Sequence, residues 1–227
     1  MVVGFAALHG SNCQMADDKA LAAGPLVLPA GQLAALEAAY AVPPRAYHDL
    51  RHVHEVLGHY ASVAAGPGWV QPAEVHLAVL YHDAVHEPGR GDNEARSAEL
   101  AMDHIARWLP DAGVDAARVA ALIRLTARHG DLVLADLADD PVPADACHFL
   151  DCDMAILGAG PAAFDAYDRA IATEYRSVMP AWLFKLNRRR FLKRLLARER
   201  IFLSDFFHTR LDAQARANLR RAVNEKR

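Results

Sequence analysis

Residues 75–87 read VHLAVLYHDAVHE, a strongly apolar run that ends in a histidine and an aspartate. Side chains of these two types cost free energy when they are buried, unless they are paired or bound to a metal ion. A helix turns by about 100° per residue, which places His82 in line with the apolar residues Val75 and Val79. We therefore predict that His82 is buried, with Asp83 about a quarter-turn away.

Helical periodicity continues along the rest of the chain, and Gly- and Pro-containing breakers divide it into segments. The alternating β-branched runs that are typical of strands are absent from the sequence. We predict one all-α domain at residues 29–227, a helical bundle with additional C-terminal helices, preceded by an N-terminal extension at residues 1–28. The predicted helices cover residues 30–41, 48–64, 72–84, 92–109, 114–129, 143–157, 162–177, 181–203 and 211–225.

Composition and charge argue against several classes of function. The chain has 227 residues, of which 53% are hydrophobic and 23% charged, and its formal net charge is -3. Outside the arginine-rich stretch 187–202 there is no basic stripe, so we expect no nucleic-acid polymer as a partner. No apolar run approaches the roughly 20 residues that a bilayer-spanning helix needs, which predicts no membrane partner. The chain has three cysteines, and they lack zinc-ribbon spacing. Its first ten residues make a poor signal peptide. Both observations favour a cytoplasmic location.

Two further helices carry polar residues on or beside their apolar faces. In the 48–64 helix, His52 lies on the edge of the polar stripe that is nearest the core, one turn after His48. In the run FLDCDMAIL at residues 149–157, Asp153 aligns with the apolar face, whereas Asp151 points nearly the opposite way. Because a lone buried carboxylate is costly, we predict that Asp153 lies inside beside a cation and that Asp151 lies outside.

His129 and Glu94 also align with apolar faces, although each has a simpler explanation. A histidine near a helix C-terminus and a glutamate near a helix N-terminus both suit the helix dipole. Two imidazoles and two carboxylates on core faces of different helices are more persuasive as a set. Such donors suit Mn, Co, Fe, Ni, Zn or Mg as a divalent ion, and the centre of a helical bundle can gather them.

Four blocks of the sequence, in order, resemble the HD-domain superfamily of metal-dependent phosphohydrolases, and in particular a bacterial branch known as predicted HD-superfamily phosphohydrolases. The resemblance lies in an H…HD…D pattern and in the sequence segments around these residues. It extends from about residue 29 to the C-terminus. The blocks are YHDLRHVHEV at 47–56, LYHDAVHEPGRGDNEARSAELA at 80–101, LTARHG at 125–130 and FLDCDMAILG at 149–158.

The resemblance implies an all-α core with one divalent metal ion held by His52, His82, Asp83 and Asp153. His48 could take the place of His52, or could contact a phosphate group instead. A second metal ion is possible, and His86 and His129 are the residues that could be recruited to hold it.

The implied chemistry is hydrolysis of a phosphate ester or anhydride, in a nucleotide or another small phosphorylated metabolite, by a metal-activated water. Asp83, His129 and Glu94 are the predicted catalytic residues. The predicted substrate contacts are His48, His86, Arg45, Tyr47, Arg128 and Arg190, the last as part of the Arg188–Arg190 cluster.

Two other functions fit the same residues. One is a metal or nucleotide sensor that binds without turnover, and the other is a di-iron oxygenase on the same scaffold. The apolar side of the C-terminal helices could also pack against a second copy of the chain.

Overall fold

The computed structural model describes residues 24–42 and 45–224, and within these ranges it contains helices and no strands. The predicted all-α fold is therefore confirmed, whereas most of the predicted extension at residues 1–28 lies outside the described residues. The helices are α1 (Ala30–Tyr40), α2 (Leu50–Ala64), α3 (Pro72–Tyr81), α4 (Asn93–Trp108), α5 (Ala116–Thr126), α6 (Pro143–Met154), α7 (Pro161–Glu174), α8 (Ala181–Ala197) and α9 (Asp205–Asn224). Short 3-10 helices cover Leu134–Leu137, Ala155–Gly158 and Tyr175–Ser177.

Helix α3 forms the centre of the bundle. It packs against α2, α4, α5 and α6, and every residue from Val75 to Tyr81 is buried. Burial of a large apolar side chain stabilises a fold by about 1.5–3 kcal/mol, which explains why the most apolar segment occupies this position. The Tyr81 hydroxyl is within hydrogen-bonding distance of Gln32 Nε2 (3.1 Å) and His104 Nδ1 (2.9 Å), so burial leaves it satisfied.

Several helices end earlier than the periodicity predicts. Helix α3 ends at Tyr81, with His82 as its C-cap, and α5 ends at Thr126 rather than at 129. The longest difference is at α8, which ends at Ala197. Beyond it the buried residues Ile201, Phe202 and Leu203 belong to a loop rather than to a continued helix. Apolar residues in a buried loop imitate a helical stripe, because only their burial is visible in the sequence.

Asp151 is buried, so the prediction that it lies outside is wrong. Its carboxylate accepts hydrogen bonds from the backbone N–H groups of Leu203 and Ser204, both at 2.7 Å, and from the Ser204 hydroxyl at 2.6 Å. The loop between α8 and α9 covers the face of α6 that the helical phase assigns to solvent. Burial raises the pKa of Asp151 to about 7, so these hydrogen bonds offset only part of its desolvation cost.

Within the described ranges, no helix is both long and apolar enough to cross a lipid bilayer. Cys147 and Cys152 are buried free thiols on α6.

Replacement of Asp151 by alanine is expected to destabilise the fold by about 2–3 kcal/mol, because it leaves buried backbone N–H groups without an acceptor. Denaturant or thermal unfolding of the purified chain measures this loss. The exposed Asp139 serves as the matched control, and Asp139→Ala should change stability by less than about 0.5 kcal/mol. Equal stability of the two variants would contradict a structural role for Asp151.

Candidate metal centre

Four polar side chains from three regions of the chain meet beside the end of α3. His52 lies in the first turn of α2, His82 and Asp83 follow the last turn of α3, and Asp153 lies near the end of α6. The two histidines are almost fully buried, and the side chains of Asp83 and Asp153 are 16% and 8% exposed. The residues that helical phase placed on core faces of separate helices are therefore neighbours in the fold.

The donor atoms of these side chains converge. The Nε2 atoms of His52 and His82 lie 3.1 Å apart. His52 Nε2 is 3.2 Å from Asp153 Oδ1, and His82 Nε2 is 3.2 Å from Asp83 Oδ2. The two remaining nitrogen–oxygen distances are both 3.6 Å. Ligands that bind one metal ion at roughly 2.0–2.2 Å are separated by about 3.0–3.5 Å from one another, so His52, His82 and Asp83 could hold a metal ion. Asp153 adjoins this group through the contacts of its Oδ1 with both histidine nitrogens.

The hydrogen bond at the other ring nitrogen of His82 orients it as a metal ligand. Its Nδ1 lies 2.8 Å from the carbonyl oxygen of Val79, one turn back in α3. A carbonyl can only accept, so Nδ1 carries a proton, and in the neutral imidazole the lone pair of Nε2 points toward the cluster. This arrangement, in which a backbone carbonyl fixes the imidazole tautomer, is common among metal-binding histidines.

His129 supports Asp153 from outside the cluster. Its Nδ1 is 2.6 Å from Asp153 Oδ2, which leaves Oδ1 of the same carboxylate directed at His52 and His82. Burial would lower the pKa of His129, but the charge and hydrogen bond of Asp153 outweigh burial and raise it. Burial would likewise raise the pKa of Asp153, yet His129, followed by His52 and His82, holds that pKa well below its ordinary value.

A second cluster lies next to the first and contains His48, His86 and Glu174. Glu174 Oε2 lies 2.7 Å from His48 Nδ1 and 3.6 Å from His86 Nε2, and the two rings stack with centroids 4.0 Å apart. These three side chains could also hold a metal ion. Burial lowers the pKa of His48, which favours a neutral imidazole that donates its Nδ1–H to the Glu174 carboxylate.

Glu174 also has a structural role, because its Oε1 accepts the backbone N–H groups of Ala46, Tyr47 and His48 at 2.8–3.1 Å. Sequence reasoning missed this residue. The signal was present, since Glu174 follows the buried Ile171 by three positions and therefore shares its face of α7.

The predicted recruitment of His86 and His129 to one second metal ion finds no support. His129 bonds to Asp153 and His86 faces Glu174, and among the described residues no group of three donors contains both histidines. A second metal ion would instead have His48, His86 and Glu174 as its ligands, so the di-iron alternative stays a prediction.

A cavity of about 300 Å³ opens beside the two clusters. The predicted residues that line it are Tyr47, His48, Asp83, His86, Glu94, His129 and Asp153. Two arginines also line it. Arg90 is paired with Asp92 at 2.6 Å, and Arg188 is the member of the predicted Arg188–Arg190 cluster that lines this cavity.

Three predicted phosphate contacts do not line this cavity. Arg45 donates hydrogen bonds to backbone carbonyls instead, including those of Asp83 at 2.6 Å and Ala84 at 2.9 Å. It thus anchors the turn that carries Asp83 rather than offering its guanidinium to a ligand. Arg128 and Arg190 are exposed and lie outside the cavity lining.

Comparison of the chain with protein-family models, with curated proteins and with solved structures found no match. The resemblance to the HD-domain superfamily therefore stays a prediction from the quoted motifs.

Asp153→Ala is expected to abolish metal binding, because it removes one of two carboxylates that offset the charge of the ion. The matched control is Asp151→Ala, two residues away on the same helix, which should be less stable but should retain the metal. Elemental analysis of the purified variants, corrected for the folded fraction, measures the bound metal per chain. Equal loss of metal in both variants would contradict the assignment of Asp153.

Metal binding is expected to weaken as the pH falls, because an imidazole must be neutral to bind a metal ion. Burial would lower the pKa of His82, but Asp83 and Asp153 outweigh burial and raise it well above its ordinary value. Protons should therefore begin to compete above the ordinary imidazole pKa of about 6.5, and affinity should fall by up to about tenfold per pH unit for each proton displaced. Calorimetry in buffers of different ionisation enthalpy counts these protons. An affinity that stays constant down to about pH 6 would contradict this prediction.

Proposed function

We propose that the protein is a metal-dependent phosphohydrolase that cleaves a phosphate ester or anhydride of a small phosphorylated metabolite, such as a nucleotide. The observation that carries the proposal is the contact of His52 and His82 with each other, with Asp83 and with Asp153 at 3.1–3.6 Å. Asp83 and Asp153 line a cavity that also has cationic groups in its wall. A divalent ion held there would polarise a phosphoryl oxygen and lower the pKa of a water molecule.

Asp83 and Glu94 supply carboxylates that line this cavity. The Oδ2 atom of Asp83 lies 3.2 Å from His82 Nε2. Burial would raise the pKa of Asp83, but the nearby histidines, with His82 foremost, outweigh burial and lower it. An ionised carboxylate at this position can accept a proton from an attacking water molecule. Glu94, in the first turn of α4, can orient the water from another side of the cavity.

His129 is suited to the opposite proton transfer. Its raised pKa favours the imidazolium form, while Asp153 holds the ring through Nδ1. A protonated histidine in the cavity wall can donate a proton to the leaving oxygen or balance the charge of a phosphate group.

Arg188 provides a cationic group from the Arg188–Arg190 cluster that the sequence predicts as a phosphate contact. Its side chain is 12% exposed, and its Nε donates to Asp168 Oδ1 at 3.0 Å. Its Nη2 is buried and has no hydrogen-bond partner among the described residues. A buried guanidinium N–H that is left without an acceptor is well suited to an oxygen of a phosphate ligand.

Phosphate release from a panel of nucleotides and phosphomonoesters, with Mn²⁺, Co²⁺, Mg²⁺ and Ni²⁺, tests the proposed activity. His129→Gln is expected to lower kcat by about 100-fold or more, the usual contribution of a general acid, while the variant retains its metal. His104→Gln is the matched control, since His104 contacts Tyr81 and does not line the cavity.

Binding of nucleotides without release of phosphate by any metal form would overturn the proposal and would favour a sensor. Unchanged kcat in His129→Gln would remove this residue from the mechanism.

A further inference from the structure

We call the 300 Å³ cavity beside the two clusters the metal cavity. A second, larger cavity adjoins it, and the function proposed above uses only Arg188 of its lining. Its volume is about 640 Å³, and it lies between the C-terminal part of α7, the first half of α8 and the end of α9. Small-molecule sites range from about 300 to 1,000 Å³, so the metal cavity alone is at the lower limit and this groove is well within the range. We call the larger cavity the α7–α8 groove.

The lining of the α7–α8 groove is rich in cationic groups. Arg169, Arg176, Lys185 and Arg189 line it together with Arg188, while Asp168 is its one carboxylate among the described residues. Asp168 is already paired with Arg188. Within residues 24–42 and 45–224, the salt bridges of the structure include none to Arg169, Arg176 or Arg189. Among the described residues, the groove therefore presents Arg169, Arg176 and Arg189 without a carboxylate in a salt bridge to them.

The same groove also has apolar surface. Met179, Phe184 and Leu192 contribute to its lining, and the ring of Phe184 lies 5.6 Å from that of Tyr175. Cationic groups around an apolar wall suit an organic anion better than a free inorganic ion, because the carbon framework of the ligand can bury area against the wall.

Two residues connect the groove with the metal cavity. Tyr175 and Arg188 line both cavities, so their side chains form a shared wall. Arg188 is the residue with a buried, unpartnered Nη2. Its guanidinium also lies 4.9 Å from the ring centroid of Tyr167 and is bonded to Asp168, which holds it in one position between the two spaces.

We propose that the substrate is a small metabolite with two anionic groups. Its scissile phosphoryl group would occupy the metal cavity, and its second anionic group, a phosphate or a carboxylate, would enter the α7–α8 groove, with Arg188 between the two. This inference rests on the proposed phosphohydrolase activity for the identity of the scissile group. The assignment of the groove as a site for an organic anion does not depend on that activity, because it rests on the lining residues of the groove.

Paired compounds that differ only in the second phosphate test this inference. Suitable pairs are glucose 1-phosphate with glucose 1,6-bisphosphate, and adenosine 5′-monophosphate with adenosine 3′,5′-bisphosphate. The full-length, Mn²⁺-loaded protein should prefer each bisphosphate by roughly tenfold in kcat/KM and in Kd, which is the effect of about one charge-assisted hydrogen bond. A matched sugar carrying a carboxylate in place of the second phosphate separates phosphate recognition from general anion recognition.

In the double variant Arg176→Gln/Arg189→Gln, the ratio of kcat/KM and of Kd between bisphosphate and monophosphate should fall toward one. The control Arg190→Gln also removes an arginine charge, at the position next to Arg189 but outside both cavities. It should leave the preference unchanged. No preference for the bisphosphate, or an equal loss of preference in Arg190→Gln, would overturn the inference. If no compound is hydrolysed, the proposed activity fails, and the Kd ratios alone then decide whether the groove binds the second anionic group.

Discussion

The burial of two carboxylates beside two imidazoles at the end of α3 is the constraint on which the site depends. Asp83 and Asp153 are both largely withdrawn from water, and each lies within 3.2–3.6 Å of both His52 Nε2 and His82 Nε2. Two such negative charges in the interior are unfavourable unless cationic charge accompanies them. Protonated histidines or a metal ion can supply it, and the hydrogen bond from His82 Nδ1 to the Val79 carbonyl is compatible with both.

Buried carboxylates elsewhere in the fold act as hydrogen-bond acceptors for distant loops. Asp151 binds the loop before α9, and Asp145 accepts the backbone N–H groups of Val70 and Gln71 before α3 at 3.0 and 2.7 Å. Glu174 does the same for the turn before α2. Burial alone therefore does not distinguish a metal ligand from a structural anchor in this protein. Asp151 and Asp145 bind backbone N–H groups, Asp83 and Asp153 face imidazole nitrogens, and Glu174 does both through its two carboxylate oxygens.

The two cavities give the C-terminal helices a place in the proposed function. Helix α8 contributes Arg188 to the wall that separates the metal cavity from the α7–α8 groove, and α7 contributes Glu174 to the second histidine cluster. The central part of the bundle thus supplies the candidate metal ligands. The C-terminal part supplies much of the surface that a substrate would meet, so the choice of substrate would depend mainly on α7 and α8.

The sequence by itself determined the all-α class and placed His52, His82 and Asp153 at or beside core faces, because helical phase relates each residue to the apolar stripe of its own helix. It placed Asp151 wrongly, and it gave no reason to prefer Arg188 to its neighbours in the Arg188–Arg190 cluster. Helical phase describes one helix at a time and cannot show that a loop from residues 198–204 covers the other face of α6. Which charged groups meet across the interior, and which arginines face a cavity rather than a carbonyl or solvent, was decided only by the packing of helices that are far apart in the chain.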